Sequence, residues 1–131
     1  MLEYLEKHKK KVLYTPFTIY WLLLLTATSL PGKDLPNLGV SDKIEHFTAY
    51  FILSFFLSIV LMLQKRVKIL KEKAIFSTLV IVGIYAALDE LHQLFIPGRS
   101  CDIRDWLTDI IAACIAVFVV SLLTKKNHVK Q

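Results

Sequence analysis

Asp89, Glu90, His92 and Gln93 close a long apolar run, and Arg99 follows them across a Pro97-Gly98 turn. Ionisable groups inside a segment long enough to cross a bilayer are costly, so each calls for a partner or a function. Local helix stability does not account for the two acids. They fall in the last turns of the helix, near the negative end of its dipole, where each is disfavoured by about 0.3–1 kcal/mol. The same chemistry recurs at helical spacing elsewhere. Asp42, Glu45, His46 and Ala49 follow i, i+3, i+4, i+7 and share one face, with Lys43 beside them. Asp89, His92 and Gln93 share a second face, with Glu90 one residue round it, and Asp102, Asp105 and Asp109 continue along a third. Tyr50 and Tyr85 add hydroxyls close to these groups.

Four kinds of chemistry suit such a set. The first is a structural network, pairing Asp89 or Glu90 with Arg99 and Asp102 or Asp105 with Arg104 or Lys43. The second is a pocket for an anionic or hydroxyl-rich headgroup. There Arg99, Arg104 and Lys43 would hold a phosphate, while the acids and Gln93 take sugar or peptide groups. A third is a divalent metal, zinc or manganese, on His46, His92 and Glu90, although two histidines on separate helices are not a diagnostic spacing. The fourth is acid–base catalysis, with Asp89 or Glu90 as base and His46 as its partner. The chain has no G-x-S-x-G, no H-E-x-x-H and no P-loop, so no hydrolase or kinase signature singles out the last of these.

The elements that must position these residues are apolar blocks. The chain has 131 residues, enough for one domain, and 55% of them are hydrophobic. The apolar residues predict helices over 12–30, 44–63, 74–95 and 105–124, each near the roughly 20 residues that cross about 30 Å of hydrocarbon. The expectation is an all-α, polytopic membrane protein with four transmembrane helices. Ala27, Thr28 and Ser29 before Pro31 resemble a signal-cleavage context, but the first apolar stretch exceeds a signal core and reads as an uncleaved anchor. Pro31-Gly32 and Pro36-Asn37-Leu38-Gly39 form one irregular loop, and Pro97-Gly98 forms another. Asp42 with Glu45, and Asp102 with Asp105, have the spacing of capping boxes at the starts of the second and fourth helices.

Charge orients the bundle. Twelve of the sixteen Lys and Arg residues lie before the first span, between the second and third, and after the fourth, among them Lys9, Lys65, Arg66 and Lys130. Eight of the eleven acids lie at the opposite end. The positive-inside rule then places both termini in the cytoplasm and the polar stripes outside. Topology and anionic lipid account for the net +5 charge, with no nucleic acid required. The stripes should converge on an outward-opening pocket between spans two, three and four, because facing lipid would cost several kcal/mol per unsatisfied group. Asp89 lies only about 10 Å below the end of its span at 1.5 Å per residue, and no ionisable group lies deeper in that span. This is too shallow for a channel or a proton pump. Cys101 and Cys114 stand about 20 Å apart by helical rise, too far for a disulfide. His8 and His128 belong to solvated tails, Trp106 to an interfacial belt and Trp21 to mid-span packing.

Asp42-Lys43-x-x-His46, Asp89-Glu90-x-x-Gln93-x-Phe95-x-Pro97-x-Arg99 and Asp105 run in order through Val40–Ala116, and the chain over this region resembles the VanZ-like family of small bacterial membrane proteins. The resemblance implies residence in the bacterial plasma membrane. For the founding member it implies low-level resistance to teicoplanin rather than vancomycin. The partner it suggests is a membrane lipid or a lipid-linked cell-wall precursor, with an envelope-lipid hydrolase or transferase, or a purely structural protein, as alternatives. No catalytic residues carry over, and any cofactor beyond a possible divalent metal is unspecified. Span four departs from the family pattern D-x-x-x-N-x-x-G-x-x-x-G, having Asp109, Ala112 and Ala116 at the last three positions. The small-residue face survives for close helix packing. The extra acid implies either a bound cation or a changed headgroup preference.

Overall fold

The computed structural model describes residues 4, 7–8, 10–34, 39 and 41–128. Pro36, Asn37, Leu38, Lys9 and Lys130 lie outside them. Its helices are α1 (Lys10–Ser29), α2 (Asp42–Leu63), the short α3 (Lys68–Glu72), α4 (Ala74–Gln93) and α5 (Ile103–His128), and no strand occurs among the described residues. All but α3 are long and apolar enough to cross a membrane.

The bundle is built on small residues. Ser54 and Ser58 of α2, Thr78 and Ala86 of α4, and Ala112, Ala113 and Ala116 of α5 are all completely buried. Small side chains let the backbones approach, which favours association where the surroundings are themselves apolar. Larger groups fill the remaining space: Tyr50, Leu53 and Leu57 of α2 meet Val82 of α4, with Phe17 and Leu24 of α1 closing over them. At the basic end, Leu13 of α1 packs with Ile59 of α2 and Val120 of α5, so α2 and α5 run parallel and α1 runs against them. The outward faces are apolar. Phe76, Val80, Ile84, Leu88 and Leu91 form an exposed stripe on α4, and Ile111, Ile115, Phe118 and Leu122 form another on α5. Contiguous apolar surface of this kind belongs against lipid. The chain is a multi-pass membrane protein.

Three local features at the acid-rich end differ from expectation or add to it. First, α2 is capped by Ser41, whose carbonyl accepts the N–H groups of Ile44 (2.9 Å) and Glu45 (3.3 Å), with no side-chain cap. Asp42 is therefore the first helical residue, and its carboxylate is free of a capping role. At α5 half of the expectation holds: Asp102 Oδ1 accepts the Arg104 N–H at 2.8 Å, but Asp105 does not close the box, because its carboxylate meets Lys43 and the Asp102 N–H goes to Glu90. Second, α4 ends at Gln93 rather than at Phe95, and the chain turns through Ile96–Arg99. The Arg99 N–H donates to the Ile96 carbonyl at 3.1 Å, and Gly98 adopts φ 77°, which is the glycine position of a type II turn. Third, the Trp106 Nε1–H donates to the Gly83 carbonyl of α4 at 3.2 Å, so this indole also ties α5 to the middle of α4.

The two loops at this end are joined. The Gly32 N–H donates to the Pro97 carbonyl at 3.1 Å, and a Cβ on Gly32 would lie 2.4 Å from the Gly98 carbonyl oxygen. Only glycine permits that approach, and it holds the end of α1 against the turn that carries Arg99.

Close packing at the buried small residues gives a direct expectation. Ala112→Leu forces extra methylenes between α2, α4 and α5 and should lower stability by about 1–3 kcal/mol. Phe118→Ala on the lipid-facing side should change it by about 0.5 kcal/mol or less. Thermal unfolding in mild detergent, followed by circular dichroism, reads both, and equal losses would contradict the packing arrangement.

Candidate functional site

Parallel α2 and α5 place their first turns side by side, and the polar residues of those turns meet in register. Lys43 Nζ donates to Asp105 Oδ1 at 2.7 Å and lies 3.8 Å from Asp102 Oδ2. One helical turn deeper, His46 Nδ1 meets Asp109 Oδ1 at 3.1 Å and Oδ2 at 3.4 Å. On its other side His46 Nε2 is 4.0 Å from Asp42 Oδ1, at the exposed rim. Asp105 and Asp109 are almost completely buried, which is tolerable only because α2 offers them these partners. The acids near both helix starts are also favoured by the positive ends of the dipoles.

The end of α4 adds the next layer. Asp89 Oδ2 accepts from the Tyr50 hydroxyl at 3.1 Å and from Gln93 Nε2 at 3.4 Å. Glu90 Oε2 accepts the Asp102 N–H at 2.9 Å, fastening α4 to the start of α5. The other oxygen, Oε1, is buried without any partner. The Tyr85 hydroxyl is likewise unpartnered and does not reach the network. No carboxylate pairs with Arg99 among the described residues. Its Nη2 donates to the Ala27 carbonyl of α1 at 3.2 Å, and its Nε is buried without a partner.

These residues border a cavity of about 120 Å³, lined by Leu24, Ala27 and Thr28 of α1, by the Asp42, Glu45, His46, Ala49 and Tyr50 face of α2, and by Gln93 and Arg99. Asp42, Gln93 and Arg99 also line a second space of about 240 Å³ at its mouth, with Gly32, Gly98 and Ser100. The expected wall is therefore corrected: the cavity lies between α1, α2 and α4, not between α2, α4 and α5. The reason is charge pairing. Asp105 and Asp109 are drawn onto Lys43 and His46, which closes the α2–α5 seam and leaves the opposite face of α2 open. The α1 contribution was not foreseen, although the small residues Ala27 and Thr28, read only as a possible cleavage context, were its signal.

His46, Glu90 and Asp109 present ligand atoms that all lie within 4.8 Å of one another, as do Asp42, His46 and Asp105. His92 is not among them. It is exposed and turned to the end of α1, where its Nε2 lies 3.2 Å from Ser29 Oγ, because position 92 falls outside the face shared by Asp89 and Gln93. The metal candidates His46 and Glu90 thus come together, with Asp109 in place of His92.

Cys101 lies outside the spans and reports on this centre. Desolvation and the neighbouring charge of Glu90 push its thiol above the usual range. In a Cys114→Ser background, Cys101 should therefore alkylate more slowly at pH 7 than an ordinary exposed thiol, since the thiolate is the nucleophile. Glu90→Gln should bring the midpoint of the pH–rate profile down towards that of a free thiol, and an unchanged profile would mean that Glu90 carries no charge near it.

No curated protein and no solved structure matches this chain. The VanZ/LLP1 family model matches residues 3–124, beyond the Val40–Ala116 region in which the resemblance was first drawn. That match takes in three of the long helices whole, α5 as far as Thr124 and every residue of the site, and the chain belongs to the VanZ/LLP1 family.

Proposed function

We propose that this protein sits in the bacterial plasma membrane with both termini in the cytoplasm, and binds the anionic headgroup of a lipid or lipid-linked precursor at the outer leaflet. By doing so it would alter the access of membrane-anchored glycopeptides such as teicoplanin to their cell-wall targets. The observation that carries the reading is Arg99. It is a guanidinium at the edge of a cavity, held by a backbone carbonyl, with a buried unpartnered Nε and no carboxylate paired with it among the described residues. A cation left uncompensated in this way favours an anion, and the planar fork suits phosphate or carboxylate. Gln93, Asp42 and Glu45 supply donors and acceptors for the polar remainder.

Size supports a headgroup rather than the drug itself. The inner cavity of about 120 Å³ is well below the roughly 300–1,000 Å³ of pockets that enclose drug-sized ligands. A small charged group fits there while its lipid tail stays in the bilayer. Turnover of the bound headgroup is the second reading, and one observation favours it: His46 faces the cavity and is oriented by Asp109 from behind, the arrangement of a positioned general base.

Orientation is tested by labelling intact cells with a membrane-impermeant thiol reagent at pH 8.5, where Cys101 should react from outside; labelling only after lysis would reverse the topology. Native mass spectrometry of the protein released from mild detergent tests binding. Wild type should retain a phospholipid or lipid-linked adduct that Arg99→Ala loses. Bare protein in both samples, with the variant merely less stable, would leave Arg99 a structural residue only.

A further inference from the structure

We propose that His46, Glu90 and Asp109 form a binding site for one divalent transition-metal ion of the zinc or manganese type. Charge balance is the first argument. Asp105 is answered by Lys43, and Asp89 receives two neutral donors, from Tyr50 and Gln93. Glu90 and Asp109, 3% and 1% exposed, have neither a lysine nor an arginine partner among the described residues. One imidazolium neutralises only one of them. A dication held by neutral His46 neutralises both, which is what a water-poor environment favours.

The donor geometry is the second argument. The three ligand atoms lie within 4.8 Å of one another, and donors at about 2.0–2.2 Å from zinc stand roughly 3.3–3.6 Å apart. Side-chain movement of about an ångström therefore closes the site. Glu90 also has a buried oxygen, Oε1, that no protein donor satisfies, although the carboxyl is already held through Oε2 by the Asp102 N–H. A fixed carboxylate with one free oxygen is a ligand arm with its outer-shell support in place. Asp42 Oδ1 lies 4.0 Å from His46 Nε2 on the other side of the imidazole, an ion-pair distance and not a hydrogen bond. One imidazole with two carboxylates suits zinc or manganese better than magnesium or calcium, which take oxygen ligands almost exclusively. The site is separate from the headgroup reading. Glu90 and Asp109 do not line the cavity, and His46 alone borders both the cavity and the site.

The test uses the metal alone. Chelator-stripped protein in mild detergent is equilibrated with zinc or manganese chloride, desalted, and analysed by elemental mass spectrometry. Wild type and His92→Ala should each retain about one ion per chain. Glu90→Gln and Asp109→Asn should bind at least tenfold more weakly. Asp109→Asn keeps the shape of the side chain and a hydrogen-bond acceptor for His46, so loss of folding is not expected to mask the result. Zinc-edge X-ray absorption on wild type decides the matter without variants: one imidazole with the remaining neighbours oxygen, at about 2.0–2.2 Å, is the expected first shell. Failure to retain either ion, retention unchanged in both carboxylate variants, or a shell containing sulfur or several imidazoles would each overturn the site.

Discussion

Two contacts one helical turn apart, Lys43 with Asp105 and His46 with Asp109, are what the rest of the bundle depends on. Each acid is nearly sealed from solvent, and an unpaired charge there would be several kcal/mol out of balance. Satisfying both at once requires α2 and α5 to run parallel, to start at the same level and to present matching faces. Apolar packing alone does not specify this, because lipid competes equally for any leucine face. The completely buried small residues Ser54, Ser58, Ala112 and Ala116 then bring the two backbones close enough for the short carboxylates to reach.

The third and first helices take their positions from that seam. Glu90 reaches the start of α5 through the Asp102 N–H, and Asp89 reaches α2 through Tyr50, so the end of α4 bridges both partners. α1 is attached differently. At the acid-rich end, it is held by the Gly32 N–H to the Pro97 carbonyl, by Arg99 on the Ala27 carbonyl, by Ser29 beside His92, and by the Tyr20 hydroxyl donating to the Ala49 carbonyl. It has no buried charge of its own to satisfy. That leaves space between α1 and the α2 face, and this space is the cavity.

Much of this was legible in the residues themselves. The four spans followed from length and apolarity, and their observed ends differ from expectation by a few residues, where turn chemistry overrides hydropathy. Helical spacing grouped Asp42, Glu45, His46 and Ala49 correctly onto the face that borders the cavity. It could not say which helix each stripe would meet. Lys43 turns to α5, Asp42 and Glu45 stay at the cavity, and His46 borders the cavity while its Nδ1 meets Asp109, a division within one turn that depends on partners far along the chain. The same limit applies to His92, which shares a nominal i+3 spacing with Asp89 but points past the edge of the buried face. The Ala27 carbonyl that holds Arg99 carries no side-chain signal at all, since any residue offers a carbonyl. Nor did the spacing of Asp42 and Glu45 reveal that Ser41 would cap α2 instead.

The α2–α5 seam also bears on how such a protein enters a membrane. α2 leaves the ribosome before α5, so Lys43 and His46 are laid down long before Asp105 and Asp109 appear. The most apolar 18-residue stretch of the last helix has a mean hydropathy of 2.4, against 2.0 for that of α2 and 1.7 for that of α4. Such a stretch favours partition into hydrocarbon against the cost of the helix's acids, each roughly 2.5–3.5 kcal/mol at a helix centre on insertion scales. On arrival, those acids meet counter-charges that are already waiting at the matching depth. The order of the helices along the gene is thus itself a solution to an assembly problem: the receptor is synthesised before the segment that needs it.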